Sequence, residues 1–174
     1  LNHTSGIPGY TGFPDFQEKY MRDPAEPASF ISIFSSKELN FEPGTQWSYN
    51  NSGYFLLGVI IEKVTGMSYD DALQKRLLEP LDLKDTGYDH FGEIVEQKDA
   101  GYRTTPVGYK HAPYLDTGIP YSAGMMYSTA RDLLKWTRAL HAGKPFQRSD
   151  TFTKMKTPYM QGYGYGLRMS DDSL

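Results

Sequence analysis

The sequence predicts one mainly α-helical domain with irregular loops and small β pieces. Apolar residues recur at helical spacing within residues 28–39, 54–78 and 128–142. Residues 88–120 show no sustained period and are rich in Gly, Pro and Tyr, which indicates short strands and loops. Near the end of the chain, glycines alternate with large residues over 161–169, a pattern typical of a strand.

Length and composition limit the classes of protein to which this chain can belong. Its 174 residues are enough for one domain with a real core, and 39% hydrophobic with 14% aromatic content favours a globular protein. The net charge of -3 leaves no basic footprint, which argues against a nucleic-acid partner. The chain has no cysteine for a disulfide or a thiolate zinc site, and no apolar run long enough for a transmembrane helix.

Residues 41–58 contain the densest group of informative side chains. Pro43-Gly44 predicts a turn, because proline presets φ and glycine accepts a positive φ. A helix begins after Tyr49, and either Asn51 or Ser52 can cap its first free N–H groups. A tyrosine hydroxyl and an asparagine amide are therefore expected on a short loop fixed to a helix N-terminus, a rigid place to hold polar groups for chemistry.

The order Pro-Gly, Tyr-x-Asn and Gly-Tyr-x-Leu-Leu-Gly resembles the serine beta-lactamase and penicillin-binding-protein family, in particular its class C beta-lactamase, D-Ala-D-Ala carboxypeptidase and esterase branch. In that family Tyr-x-Asn is the second of three active-site motifs. The first is Ser-x-x-Lys, which carries the nucleophile, and the third is a Lys-Thr-Gly or His-x-Gly strand. The resemblance implies that Tyr49 is the catalytic acid–base relay and that Asn51 positions the substrate.

Two further segments resemble the same family. Leu1–Gly9 contains its His-Thr-Ser-Gly sequence. The segment 121–133 resembles Gly-Gly, apolar, x, Ser-Thr, x, x, Asp-Leu, with Ala123 in place of one glycine. Within the first segment, His3 is expected to be a loop histidine satisfied by its neighbours, not a ligand or a base.

The first and third motifs are missing from the chain. No Ser-x-x-Lys occurs in it, so the nucleophilic serine and its lysine are absent. Ser5 has no lysine three residues later, and Ser35-Ser36-Lys37 has the wrong spacing. Lys156-Thr157-Pro158 does not replace the third motif, because proline removes an N–H and restricts the strand edge. No Lys-Thr-Gly or His-x-Gly follows Gly166.

Caps and breakers predict the remaining helices. These are a short helix within Asp15–Met21, then Ala28–Leu39, Tyr54–Val64 with a stop at Thr65-Gly66, a helix from a Ser68 cap to near Pro80, one from a Ser128 cap to Ala142-Gly143, and Ser149–Lys156. Met125 and Met126 are expected to fill the core, and His90 and His111 to be solvated loop residues instead of zinc ligands.

The resemblance covers nearly the whole chain but only the middle of the family's domain. It implies that residues 1–174 are the central, mostly helical segment of a beta-lactamase-like α/β domain. On this interpretation the segment lacks the N-terminal part of the domain with Ser-x-x-Lys and the C-terminal part with Lys-Thr-Gly or His-x-Gly. It also lacks most of the sheet. The parent is expected to be an extracytoplasmic serine hydrolase acting without a cofactor or metal on beta-lactams, D-Ala peptides or small esters. The segment alone is expected to be inactive and to self-associate through exposed apolar faces.

The main alternative is a non-catalytic binding or scaffold module that keeps the helical core and has lost the chemistry. The coding sequence upstream of Leu1 separates the two hypotheses, since a Ser-x-x-Lys there decides for the enzyme. An unrelated helical domain with a chance Tyr-x-Asn is a third option, and the two long motif matches in the right order argue against it.

Overall fold

The computed structural model describes residues 1–14, 16, 27–90, 92–112 and 119–169. In chain order the helices are α1 (Pro27–Ser35), α2 (Asn51–Thr65), α3 (Tyr69–Leu73), α4 (Ala130–His141) and α5 (Thr151–Lys156), with a π-helical turn at Gln74–Leu78 and 3-10 turns at Tyr10–Gly12 and Tyr121–Ala123. Two antiparallel pairs join β1 (Gly87–Tyr88) to β4 (Met126–Tyr127) and β2 (Tyr102–Thr105) to β3 (Gly108–His111). The described residues thus confirm a mainly helical chain with small β pieces. The helix predicted within Asp15–Met21 lies outside them, apart from Phe16.

Helix α2 is the centre of the fold. Its Phe55 is 1% exposed and packs against Phe30 of α1, with ring centroids 5.1 Å apart, and against Tyr121, at 4.9 Å. Gly58 lets the turn at 121–123 come close, because a Cβ at this position would lie 2.2 Å from Ser122 Oγ. Burial of these rings supplies the main apolar driving force, and it fixes the orientation of the α2 N-terminus.

The N-terminal caps of two helices differ from the prediction. Asn50, not Asn51 or Ser52, caps α2, and its Oδ1 accepts the Gly53 N–H at 2.8 Å. Thr129, not Ser128, caps α4 by accepting the Asp132 N–H at 3.2 Å. The predicted caps were wrong because Ser52 and Ser128 use their hydroxyls in contacts with distant segments.

The stop of α2 and the start of α3 agree with the sequence. Gly66 takes a left-handed conformation with φ 67°, and its N–H donates to Glu62 at 2.8 Å. Ser68 caps α3 and accepts the Asp71 N–H at 3.1 Å. Asp71 pairs with Lys75, at 3.0 Å, where a capping-box residue would reach back to the cap.

Residues 161–169 do not form the predicted strand. The chain bends back on itself there, with isolated antiparallel bridges at Tyr163. Gly162 and Gly166 have φ values of 68° and 71°, in the left-handed region, and these interrupt any extended run. The glycines of this segment therefore serve turns, not a pleated strand.

Two further expectations are corrected by long-range packing. Helix α1 ends at Ser35, before the predicted end at Leu39, and Asn40 donates its N–H to the carbonyl of Gly6 at 2.8 Å. Met126 is 45% exposed and so does not fill the core, whereas Met125 is half-buried. Within the described residues, no helix is long and apolar enough to cross a membrane.

We expect the isolated chain to self-associate through the α2 face, defined as Ile60, Ile61 and Val64. These side chains are 54%, 38% and 80% exposed, whereas Phe55 of the same helix is buried in the core. Contiguous apolar surface of this kind tends to find a partner. Light scattering over a concentration series should show a mean mass that rises with concentration, and Val64→Glu should reduce the rise.

The matched control introduces the same charge at an exposed apolar residue outside the α2 face. Ile94 is 92% exposed in the loop between β1 and β2, so Ile94→Glu adds the same charge away from the α2 face. We expect it to leave the concentration dependence unchanged. A wild-type chain that stays monomeric at every concentration would contradict the expectation.

Candidate active site

The side chains at residues 49–52 alternate between solvent and the protein interior. Tyr49 is 60% exposed, and Asn51 is half-buried at the first position of α2. Between and after them, Asn50 and Ser52 are 6% and 0% exposed. The two residues predicted to carry chemistry are thus held by two buried polar neighbours.

Asn50 uses its backbone and its side chain to fix the loop. Its backbone N–H donates to His3 Nδ1 at 3.1 Å, and its side-chain amide donates to the carbonyl of Ile7. Its Oδ1 accepts the Gly53 N–H, as described above. Hydrogen bonds on all these groups leave the loop little freedom next to Tyr49.

Ser52 adds a second connection between the start of the helix and residues 8–10. Its hydroxyl donates to the carbonyl of Pro8 at 2.7 Å and accepts the backbone N–H of Tyr10 at 3.0 Å. Because the hydroxyl is fully buried and satisfied in both roles, its loss would leave a buried backbone N–H without a partner.

The backbone of residues 3–6 runs beside residues 40–48 and completes the support of the loop. The carbonyls of His3 and Thr4 accept the N–H groups of Ser48 at 3.0 Å and Gly44 at 2.8 Å. Gly6, with φ 72°, packs so closely that a Cβ would lie 2.0 Å from the carbonyl oxygen of Phe41. The His-Thr-Ser-Gly segment therefore acts as a structural brace for the Tyr-x-Asn loop.

An aromatic cluster surrounds His3. Its ring centroid lies 4.5 Å from Tyr49, 4.9 Å from Tyr54, 4.8 Å from Tyr163 and 6.1 Å from Trp47. His3 is 6% exposed, so this loop histidine belongs to the core of the site. Its Nδ1 is satisfied by a neighbour, as expected, but its buried Nε2 has no hydrogen-bond partner in the described part of the chain.

The phenols next to Tyr49 stay protonated at neutral pH. Burial raises the pKa of Tyr54 to about 12, and its hydroxyl donates to the carbonyl of Leu1 at 2.7 Å. Burial also raises the pKa of Tyr163. Among the described residues, the cations that lie over an aromatic ring are Lys37 over Phe13 and Lys156 over Phe152, and none lies over Tyr49. The arrangement can present a fixed hydroxyl and amide to a substrate, and it contains no activated nucleophile.

The other histidines predicted to be solvated have partners. His90 Nε2 lies 2.8 Å from Asp70 Oδ2, with both side chains partly exposed, and the exposed His111 stacks on Tyr102 across the β2–β3 pair. Across the described ranges, no group of three or more His, Cys, Asp or Glu residues is placed to hold a metal ion.

An open cavity of about 550 Å³ lies beside the loop, between the first residues of the chain and α2. Asn50, Tyr54 and Ile60 are among its lining residues, whereas Tyr49 and Asn51 are not. It borders the buried side of the loop, so it does not mark the position of a substrate next to Tyr49.

Sequence reasoning missed the supporting role of His3, Asn50 and Ser52. Residues 49–52 are all polar or aromatic, so no local pattern separates positions 50 and 52 from the motif positions 49 and 51. The inward-facing pair is selected by partners more than forty positions away.

The family model named Beta-lactamase matches residues 1–174. A penicillin-binding protein of Bacillus subtilis (strain 168) is 39% identical over 88 residues, 49% of this chain and 19% of that protein. The solved structure of a penicillin binding protein from Bacillus halodurans matches with TM-score 0.85 and 27% identity, over 98% of this chain and 55% of that one. The solved structure of a D-amino acid amidase from Ochrobactrum anthropi SV3, complexed with L-phenylalanine amide, matches with TM-score 0.80 and 29% identity. The match covers 99% of this chain and 53% of the amidase chain. This chain spans roughly half or less of the length of these three proteins.

Proposed function

Because this chain belongs to the beta-lactamase family, we propose that it is the central segment of a serine hydrolase that transfers an acyl group from its substrate to a serine. The substrates proposed are beta-lactams, D-Ala peptides, D-amino acid amides and small esters. The names of the relatives support beta-lactams and D-amino acid amides, since they include penicillin-binding proteins and a D-amino acid amidase. D-Ala peptides and small esters are proposed from the family resemblance alone. The penicillin-binding relatives also support an extracytoplasmic location in the parent.

One observation carries the proposal. Tyr49 points to solvent from a loop that is held on its buried side by Asn50 and Ser52. A residue kept only for packing would be buried, and an unanchored surface tyrosine would not have two buried polar neighbours bonded to a distant segment. An exposed group on a rigid support is what positioned acid–base chemistry requires.

In the proposed mechanism, the nucleophilic serine and its lysine lie outside residues 1–174. The serine oxygen attacks the substrate carbonyl carbon, and the serine proton passes through the lysine and Tyr49 to the leaving nitrogen or oxygen as its bond to carbon breaks. Backbone N–H groups stabilise the oxyanion. The Asn51 amide holds the substrate beside these groups, and water later releases the acyl group from the serine.

The coding sequence upstream of Leu1 provides the most direct test. A Ser-x-x-Lys there, together with a Lys-Thr-Gly or His-x-Gly strand downstream of Leu174, supports the hydrolase. An open reading frame that lacks both motifs supports the alternative, a binding or scaffold module that has kept the helical core.

We expect the 174-residue chain by itself not to be acylated by a beta-lactam. Positioning groups without a nucleophilic serine and its lysine cannot form the covalent bond. Incubation with a fluorescent penicillin, followed by intact-mass measurement, should show the unmodified mass. A stable acyl adduct mapped to any serine of this chain would overturn the assignment of the nucleophile to another part of the polypeptide.

A further inference from the structure

The His3 ring contacts the Tyr-x-Asn loop through both an edge and a face. At the edge, Nδ1 accepts the Asn50 N–H at 3.1 Å, a contact that joins residues 47 positions apart. At the face, the ring lies 4.5 Å from the Tyr49 ring with 41° between the planes. The backbone carbonyl of His3 also accepts the Ser48 N–H. Residues 48, 49 and 50 are thus each contacted by this one residue.

The Asn50 contact determines the protonation of the ring. A backbone N–H can only donate to a nitrogen without a proton, so Nδ1 must be unprotonated and the neutral ring carries its proton on Nε2. If the ring took up a second proton, at Nδ1, that N–H would face the backbone N–H of Asn50 and the hydrogen bond between them would be lost. Burial lowers the pKa of His3, which keeps the ring neutral near pH 7.

The surroundings of Nε2 favour a neutral ring over an imidazolium. The atom is buried without a hydrogen-bond partner in the described residues. The neighbouring side chains there include Tyr54 and Tyr163, whose rings lie at 4.9 Å and 4.8 Å from the imidazole. A neutral ring between aromatic neighbours costs far less than a buried imidazolium would.

Tyr49 depends on this contact more than the buried rings do. It is 60% exposed, and within the described part of the chain its ring–ring contact is with His3. Tyr54 has a second anchor through its hydroxyl. Loss of the imidazole would therefore free Tyr49 while the rest of the cluster kept its contacts.

We propose that His3, as the neutral Nε2–H tautomer, is a positioning residue: its Nδ1 fixes the backbone at Asn50 and its ring face fixes the orientation of the Tyr49 phenol. The consequence for catalysis rests on the proposed function, in which Tyr49 moves the proton. The positioning itself is a property of this chain and can be measured without any activity.

The experiment uses NMR on the 174-residue protein near pH 7 with a pair of complementary substitutions. The nitrogen shifts of the His3 ring report the tautomer. His3→Asn places an amide oxygen near the Nδ1 position and suits the φ of 59°, but it removes the ring. His3→Phe keeps a ring and removes the acceptor. His111→Phe, at an exposed histidine on β3, is the control.

We expect Nδ1 to show the shift of an unprotonated ring nitrogen. His3→Phe should speed hydrogen exchange at the Asn50 amide by about threefold to tenfold, the effect of one lost hydrogen bond, and His3→Asn should restore most of the protection. Conversely, His3→Asn should weaken the ring contacts that fix the Tyr49 phenol, and His3→Phe should retain them. His111→Phe should change neither signal.

Two results would overturn the proposal. One is a proton on Nδ1 at neutral pH in the folded protein. The other is unchanged Asn50 exchange in His3→Phe with the fold intact by the remaining amide signals. If instead the NMR results are as expected while the full-length hydrolase shows no acyl transfer, the positioning stands and the proposed function fails.

Discussion

Tyr49→Phe in the full-length hydrolase is expected to slow acylation by about 10²–10⁴-fold, the usual effect of losing a positioned acid–base group. Because each tenfold change in rate corresponds to ~1.36 kcal/mol, this slowing is a loss of about 3–5 kcal/mol of transition-state stabilisation. A phenylalanine keeps the ring against His3, and Tyr49 is 60% exposed, so the fold should not change. Pre-steady-state acylation by a chromogenic beta-lactam or ester measures the rate directly.

A second tyrosine of similar exposure provides the control. Tyr159 is 58% exposed and lies outside the loop, so Tyr159→Phe should acylate at the wild-type rate. Asn51→Ala should also lower kcat/KM, but a larger share of that decrease should come from a higher KM, because the amide is proposed to hold the substrate. If Tyr49→Phe also acylates at the wild-type rate, Tyr49 is a structural tyrosine and its assigned role is wrong.

Asp132→Ala is expected to lower the free energy of unfolding by about 3 kcal/mol, because it removes a buried carboxylate that accepts two hydrogen bonds and pairs with a lysine. The Asp132 side chain is fully buried at the start of α4. It accepts the Asp85 N–H at 2.8 Å and the Thr86 hydroxyl at 3.0 Å, and it pairs with Lys135 at 3.3 Å. These bonds attach the connector after α3 to α4. Denaturant unfolding followed by circular dichroism measures the loss.

The pH dependence of this loss has a defined sign. Burial alone would raise the pKa of Asp132, but the bonds from Asp85, Thr86 and Lys135 outweigh it and hold the pKa below its ordinary value. A carboxyl with a lowered pKa stabilises the fold above the pKa it has when unfolded, and this stabilisation disappears as the pH falls through the folded value. The difference between wild type and Asp132→Ala should therefore shrink on acidification.

An exposed aspartate separates this effect from general loss of charge. Asp150 pairs with Arg148 and Lys154 at the surface, where solvent screens the interaction, so Asp150→Ala should change stability far less. Equal losses in Asp132→Ala and Asp150→Ala would show that the buried bonds at Asp132 contribute nothing of their own.

The sequence by itself determined the features that depend on neighbouring residues. The left-handed stop at Gly66 and the cap at Ser68 are local, since each bond closes within a few residues. Helical periodicity gave the existence of the long helices for the same reason. The motif from Tyr49 to Asn51, together with the order of the neighbouring motifs, resembles the beta-lactamase family. The family model that matches residues 1–174 shows the same family.

Only the tertiary structure decided which polar residues cap, brace or face solvent. Asn50 caps α2 because the Ser52 hydroxyl is occupied by Pro8 and Tyr10, and Thr129 caps α4 because Ser128 contacts Thr86. These bonds join positions about forty or more residues apart. Each such polar side chain has several possible partners at similar free energy. Local sequence cannot choose among them, and the choice is made when packing buries one set of groups and requires every buried donor to be satisfied.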